Sequence, residues 1–337
     1  MPPVQITINN KKTIIVNGGK SLLTTLADEK IFLPTACGGR GICGLCRLKI
    51  LTGGGNLTDA EQRKLKDDEK KSNVRLACQI TVSGDLNIEI PERLLTLGEY
   101  KCKCTEILDV ASEVRQLRLE LIEPRTIDYI PGQYVQVFVP ACEKSPQPVS
   151  RAYSISSDPA DKNFIELIAR RTPGGISSTY FFEYLKVGDE LKFTGPYGQF
   201  KISQTQSPMV FIAGGSGMAP IKCMLHYLKN TGSKRQAVYY FGANKVSELV
   251  WPELMRQFEK DLPNFRFVPV IADPQEKWAG QRGLVTEAVK RDLKNAEQYE
   301  AYLCGSPGMV DAAIKTLKEL EISDDKIFYD KLTPNSQ

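Results

Sequence analysis

The sequence predicts a multidomain α/β protein made of three consecutive blocks, and three observations carry that expectation. Its 337 residues exceed what one hydrophobic core usually organises. A middle block is rich in strand patterns, with apolar side chains alternating at period two between glycine and proline turns, which suits an antiparallel barrel. A last block alternates short apolar strands with helical patterns, the mark of βαβ units and a mostly parallel sheet. The blocks are placed at residues 1–98, 99–206 and 207–337.

The first block opens with Val4-Gln5-Ile6-Thr7-Ile8 and Thr13-Ile14-Ile15-Val16 around Asn9-Asn10-Lys11, a β-hairpin pattern. Ser21–Lys30 then reads as a helix with Leu22, Leu23 and Leu26 on one face, and Leu86–Ile90 as a late strand. The charged run Glu61–Lys71 reads as a solvated helix. In the second block Val114–Leu121 and Gln133–Val139 alternate, with turns at Pro131-Gly132 and Gly195-Pro196. The third offers strands at Met209–Ala213, Ala237–Phe241, Phe265–Ile271, Ala301–Cys304 and Ile327–Tyr329.

Hydrophobic residues make up 42% and charged residues 25%, as in ordinary soluble domains. The formal charge of +4 is too small to argue for nucleic-acid binding. The start lacks the pattern of a signal peptide, and no stretch approaches the ~18 apolar residues of a membrane helix. A soluble, cytoplasmic protein with no membrane span is expected. Nine cysteines, four of them closely patterned, fit metal ligation in a reducing compartment better than disulfides.

Those four are Cys37, Cys43, Cys46 and Cys78, spaced C-x5-C-x2-C-x31-C. A [2Fe–2S] cluster needs four thiolates, two on each iron, and the glycines among them let a loop wrap closely and aim N–H groups at sulfur. Zinc is the rival, but its structural sites usually pair two short Cys clamps. Cys102, Cys104, Cys142 and Cys223 read as structural. The single histidine, His226, reads as a packed or surface residue of a helix over Met218–Leu228.

Four further segments carry chemistry. Arg151-Ala152-Tyr153-Ser154 follows the barrel strands, and alternation puts Arg151 and Tyr153 on one strand face. Arg171-Thr172-Pro173-Gly174-Gly175-Ile176-Ser177-Ser178 enters a helical run, Thr179–Leu185, where backbone N–H groups could hold a pyrophosphate. Phe211-Ile212-Ala213-Gly214-Gly215-Ser216-Gly217-Met218-Ala219-Pro220 is a strand, a glycine turn and a helix start. Tyr302-Leu303-Cys304-Gly305-Ser306-Pro307 closes a later strand, and Cys304 read alone is a small buried residue.

The cysteine loop resembles plant-type ferredoxins, its five-residue first spacing being that of multidomain reductases. The other segments resemble the ferredoxin–NADP reductase superfamily. The full order resembles the NADH-oxidising F-subunit family of sodium-translocating NADH:quinone reductases and the reductase components of oxygenases. The resemblance implies a β-grasp ferredoxin domain, an antiparallel β-barrel FAD domain and a Rossmann-like NAD domain. It implies that Tyr153 stacks on the flavin with Ser154 near its reactive nitrogen. It also implies that Arg151, Ser177 and Ser178, with Gly174 and Gly175, hold the pyrophosphate. Gly214, Gly215, Gly217, Met218, Ala219 and Pro220, with Cys304 and Gly305, would face the nicotinamide nucleotide, Cys304 beside the nicotinamide in a hydride-positioning role.

The implied activity moves electrons from NADH to FAD, to the cluster, and to an electron-acceptor protein. That acceptor would be an oxygenase, another redox protein or a membrane quinone-reducing complex. A non-catalytic redox-sensing module on the same scaffold is the other reading. NADH is preferred over NADPH because only Lys245 is near the expected specificity segment Gly242-Ala243-Asn244-Lys245. The F-subunit family carries an N-terminal membrane helix, and no such stretch occurs here. Relatives end in an aromatic residue over the flavin, and the equivalent here is Leu332, followed by five residues, with Tyr329 or Phe328 as candidate substitutes. Residues 1–98 hold 14 Lys/Arg against 10 Asp/Glu, which points to an acidic docking face on the acceptor.

Overall fold

The N-terminal hairpin closes through Asn9 and Asn10, both at φ 52°, the backbone of a tight turn that asparagine tolerates. It joins β1 (Pro3–Ile8) to β2 (Lys12–Asn17), and the alternation buries Val4, Ile6, Ile8, Ile14 and Val16. Ser21 caps α1 (Leu22–Asp28), its hydroxyl accepting from the Thr24 N–H at 3.2 Å, and α1 buries Leu22, Thr25 and Leu26. After β3 (Arg47–Thr52) come α2 (Asp59–Lys64), α3 (Asp67–Lys71), β4 (Val74–Leu76), β5 (Leu86–Glu89) and α4 (Glu92–Leu95). The five strands form one sheet in the order β2-β1-β5-β3-β4, with β1 and β5 parallel. This is the expected β-grasp.

The charged run departs from expectation. It forms two short helices rather than one, because Leu65 turns inward in an extended conformation between them. Glu61 is fully buried, not solvated. It receives Arg75 Nε and Nη2, each at 2.8 Å, and the Leu76 N–H at 2.9 Å. Arg75 also donates to the carbonyls of Gly54, Gly55 and Asn56, so the buried charge is paired on every side.

The second sheet is built from β6 (Gly98–Ala111), β7 (Val114–Glu123), β8 (Tyr134–Val139), β9 (Val149–Ser154), β10 (Phe164–Arg170) and β11 (Glu190–Tyr197), in the order β10-β7-β6-β11-β8-β9. Cys102 and Cys104 are both fully buried on β6. The helical run expected over Thr179–Leu185 begins earlier, as α5 (Ile176–Thr179), and widens into a π turn over Tyr180–Tyr184.

The third sheet is parallel throughout. It contains β12 (Met209–Gly214), β13 (Ala237–Ala243), β14 (Phe265–Ile271), β15 (Gln281–Arg282), β16 (Glu300–Gly305) and β17 (Ile327–Lys331), in the order β15-β14-β13-β12-β16-β17. Its helices are α6 (Met218–Asn230), α7 (Pro252–Asp261), α8 (Val285–Asp292) and α9 (Pro307–Glu319). Alternate strand residues feed two apolar clusters. Phe211, Tyr239, Phe241 and Tyr302 lie in one, and Ile212, Tyr240, Val268 and Leu303 in the other. Strand order reverses between β12 and β16, the switch point where open α/β sheets bind ligands.

The computed structural model describes residues 3–143 and 145–332. By internal packing the chain divides into two compact units interleaved along the sequence. One comprises Met1–Tyr100, Val135–Ala152 and Lys192–Tyr197, and the other Lys101–Tyr134, Tyr153–Leu191 and Gly198–Gln337. The second contains a buried ion pair from α6 to β10, Lys222 Nζ to Glu166 at 2.6 Å, with Gln116 accepting at 2.9 Å.

Candidate active site

The cysteine loop is organised in pairs. Cys37 and Cys43 bring their sulfurs to 3.3 Å, and Cys46 is hydrogen-bonded to Cys78. In each pair one sulfur accepts a hydrogen bond that favours its thiolate. A hydrogen bond from Cys43 brings Cys37 down to about 4, and one from Cys46 brings Cys78 to about 7. Their partners, acting as donors, are pushed up. Backbone N–H groups of Arg40, Ile42 and Cys43 point at Cys37, and that of Gly41 at Cys78. Two thiol pairs wrapped by amide donors fit a two-iron cluster, one pair per iron. Positive φ at Gly38, Gly39, Gly41 and Gly44 gives the loop this curl.

Strand β9 is half-open along most of its length, with residues 149–153 partly exposed and only Ser154 buried. Tyr153 donates to or accepts from Ser177 Oγ at 2.5 Å. Ser154 is 7% exposed, and its hydroxyl takes no hydrogen bond among the described residues. A nearly buried open hydroxyl beside a tyrosine suits a polar ring edge such as flavin's. Ser178 behaves differently from the expectation that it holds phosphate. Its Oγ accepts from the Thr172 N–H at 3.1 Å and lies 3.2 Å from the Thr172 carbonyl, so it closes the turn carrying Gly174 and Gly175.

A cleft of about 230 Å³ lies at the carboxyl ends of the third sheet. Gly214 and Gly215, Gly242–Asn244, Val270 and Ala272, and Ser306 and Met309 line it from four successive strand ends. Gly217 packs so closely on β16 that a Cβ there would overlap the Cys304 carbonyl. Met218, Ala219 and Pro220 are buried at the start of α6, and none of the three lines the cleft. Cys304 is fully buried in the apolar cluster, with its thiol pushed well above the usual range by burial, and does not line the cleft. Gly305 follows it at the strand end.

The chain matches three family models: a 2Fe-2S iron-sulfur cluster binding domain at residues 6–83, an oxidoreductase FAD-binding domain at 101–202 and an oxidoreductase NAD-binding domain at 211–315. It is 32% identical to the F subunit of the Na(+)-translocating NADH-quinone reductase from Neisseria meningitidis, covering 97% of this chain and 91% of the relative. The chain belongs to this F-subunit family of iron–sulfur flavoprotein reductases. The corresponding protein of Klebsiella pneumoniae is also 32% identical, with 97% and 91% covered. Among solved structures, the Amycolatopsis cytochrome P450 reductase GcoB superposes with a TM-score of 0.80 at 28% identity, over 99% of this chain and 100% of that one. The ferredoxin reductase in carbazole 1,9a-dioxygenase has the same fold, with a TM-score of 0.75 at 24% identity and 98% of each chain covered. This reductase therefore uses a [2Fe–2S] cluster, FAD and a nicotinamide nucleotide. Among its described residues no helix is long and apolar enough to cross a membrane.

At the C-terminus of the reductase, Leu332 donates its N–H to the Gly305 carbonyl at 2.8 Å and packs on the core, while Phe328 stacks on Tyr302. Tyr329 is half exposed beneath Lys331. Residues 333–337 lie outside the described residues. Sequence reading missed Arg170, which lines the cleft next to Gly215 and makes no hydrogen bond or ion pair among the described residues. Its signal was the Arg170-Arg171 pair just before the glycine turn. It also missed Glu248, which lines the cleft and accepts the Asn244 N–H at 3.0 Å.

Proposed function

We propose that the chain oxidises NADH and delivers the electrons, through FAD and the [2Fe–2S] cluster, to a separate acceptor protein. One observation carries the reading: a loop of paired thiols and a glycine-lined cleft at a sheet's switch point occur in one chain. When bound, FAD takes two electrons as hydride and releases them singly to a cluster that accepts one at a time. The chain's own residues bind and orient. Arg151, Tyr153, Ser154 and Ser177, with the turn at Gly174, Gly175 and Ser178, would hold the flavin. Cys37, Cys43, Cys46 and Cys78 would ligate iron. Gly214, Gly215 and Gly217 bring backbone close to the nucleotide, with Arg170 as its cation. Burial keeps Cys304 protonated in the apolar cluster behind the cleft, and it needs no role as a nucleophile. We keep 1–98, 99–206 and 207–337 as the three functional modules.

NADH rather than NADPH is supported by two carboxylates near the end of β13. Glu248 lines the cleft, and Glu276 accepts the Val246 N–H at 3.3 Å. An acid there suits a ribose hydroxyl and repels a 2′-phosphate. For the acceptor, Ile42 and Leu45 are exposed on the cysteine loop, and the exposed Lys64 lies beside it against Gly44. That face suits an acidic partner with an apolar centre. A second reading, the electron-input component of a membrane quinone reductase, is supported by the names of the relatives.

The test is an anaerobic NADH titration followed by absorbance and EPR. Bleached flavin with an S = ½ cluster signal is the expected result. Flavin and cluster that both ignore NADH and NADPH would overturn the reading in favour of a non-catalytic module.

A further inference from the structure

Strand β8 contributes a buried glutamine that no step above uses. Gln136 is 3% exposed, and its amide faces the segment that leads into the cysteine loop. Its Oε1 accepts the Thr35 N–H at 3.2 Å, and its Nε2 donates to the Leu33 carbonyl at 3.1 Å. Residues two apart on one edge are thus engaged as a neighbouring strand would engage them, but by a side chain. The remaining amide hydrogen is used as well, because the buried Tyr197 phenol takes a hydrogen bond from Gln136 while donating to Thr194 Oγ1 at 2.8 Å. A fully satisfied buried amide is directional and rigid.

The residue it holds reaches the sulfurs. Thr35 Oγ1 lies 3.9 Å from Cys37 Sγ and 4.0 Å from Cys43 Sγ, and it accepts the Gly39 N–H at 3.3 Å. A second contact lies three residues on. A Cβ at Gly38 would stand 2.7 Å from Arg151 Nη1 and 3.3 Å from the Ser150 carbonyl, and its φ of 66° favours glycine, so the loop sits close to β9 there. Gln136, Thr35 and Gly38 all belong with Arg151 to the same compact unit.

We infer that Gln136 is a positioning residue for electron transfer: it fixes the height of the cysteine loop on the barrel strands, and through Thr35 the setting of the Cys37–Cys43 pair. This rests on the function proposed above only for its kinetic consequence, since the clamp itself is a matter of geometry. Gln136→Leu keeps the volume and removes all three hydrogen bonds, to Thr35, Leu33 and Tyr197. Gln136→Glu keeps the acceptor for Thr35 and removes the donors to Leu33 and Tyr197.

The experiment uses the full holoprotein and three readouts. Hydrogen exchange at residues 33–39 should quicken by about tenfold in Q136L and by less in Q136E, the scale of a lost buried hydrogen bond. The EPR signal of the dithionite-reduced cluster should broaden or shift in the same order. NADH should bleach the flavin within about twofold of the wild-type rate while cluster reduction slows by about tenfold. If Q136L does not accumulate as folded protein, Q136E carries the test on the same readouts. Unchanged exchange and an unchanged EPR spectrum would overturn the inference. A wild-type cluster that dithionite reduces and NADH does not would instead sink the proposed function, leaving the exchange result to decide the clamp.

Discussion

The cysteine loop and the nucleotide cleft are built on opposite plans. In the loop, sulfurs are paired, backbone donors point inward, and the flanking segments are tied by Glu61–Arg75 and Gln136. In the cleft, glycine backbone and the unengaged Arg170 are left for something else to satisfy. The difference separates a resident group from a visiting one. The cluster loop holds its polar groups already committed, whereas a substrate that leaves needs groups it can engage and release.

That contrast can be broken most sharply at the loop. Cys78→Ala should abolish the cluster EPR signal and the bound iron while NADH still bleaches the flavin. Loss of both responses together would deny the loop its separateness. Arg75→Met should come next, because it strands the buried Glu61 carboxylate. A loss of about 3–5 kcal/mol is expected, read as a lower urea midpoint for cluster absorbance. Burial alone would push the Glu61 carboxyl up. The Arg75 hydrogen bonds, with the Thr58 and Leu76 N–H groups, more than offset this and hold it below the usual range. A depressed carboxylate stabilises the fold above its unfolded pKa of about 4.3, and that contribution is lost as pH falls through the lower folded value. The wild-type midpoint should therefore decline below about pH 4.3, and the R75M midpoint should decline less.

The cleft should give smaller, kinetic effects. Arg170→Ala should raise KM for NADH by about tenfold with kcat little changed, the pattern of lost uniform binding. A fall in kcat alone would place Arg170 at the reacting centre instead. Glu248→Ser should narrow the NADH-over-NADPH ratio of kcat/KM by about fivefold, and an unchanged ratio would remove the carboxylate from nucleotide choice.

Much of this was legible in the chain. Hairpin, sheet and βαβ periodicities follow from local sequence, and the C-x5-C-x2-C spacing carries its ligands in order. The glycine turn after β12 was readable because a close backbone approach needs that residue type. What stayed hidden depends on partners distant in sequence. Glu61 looked solvated because Arg75, fourteen residues on, decides its burial. Gln136 is an unremarkable strand residue until Leu33 and Thr35, about a hundred residues earlier, come against it. Ser178 fitted a phosphate motif by spacing, and only the fold reveals its hydroxyl closing a turn.

The interleaving of the two compact units has a consequence for biosynthesis. Residues up to Tyr100 leave the ribosome first, but the unit they belong to is completed only when Lys192–Tyr197 has been made. At ~5–20 residues per second, that interval of roughly a hundred residues lasts on the order of 5–20 s. Throughout the first part of it the Leu33 carbonyl and Thr35 N–H have only water for company, because Gln136 does not yet exist. The cysteine loop thus emerges well before the strand residue that ties its leading segment in the folded chain.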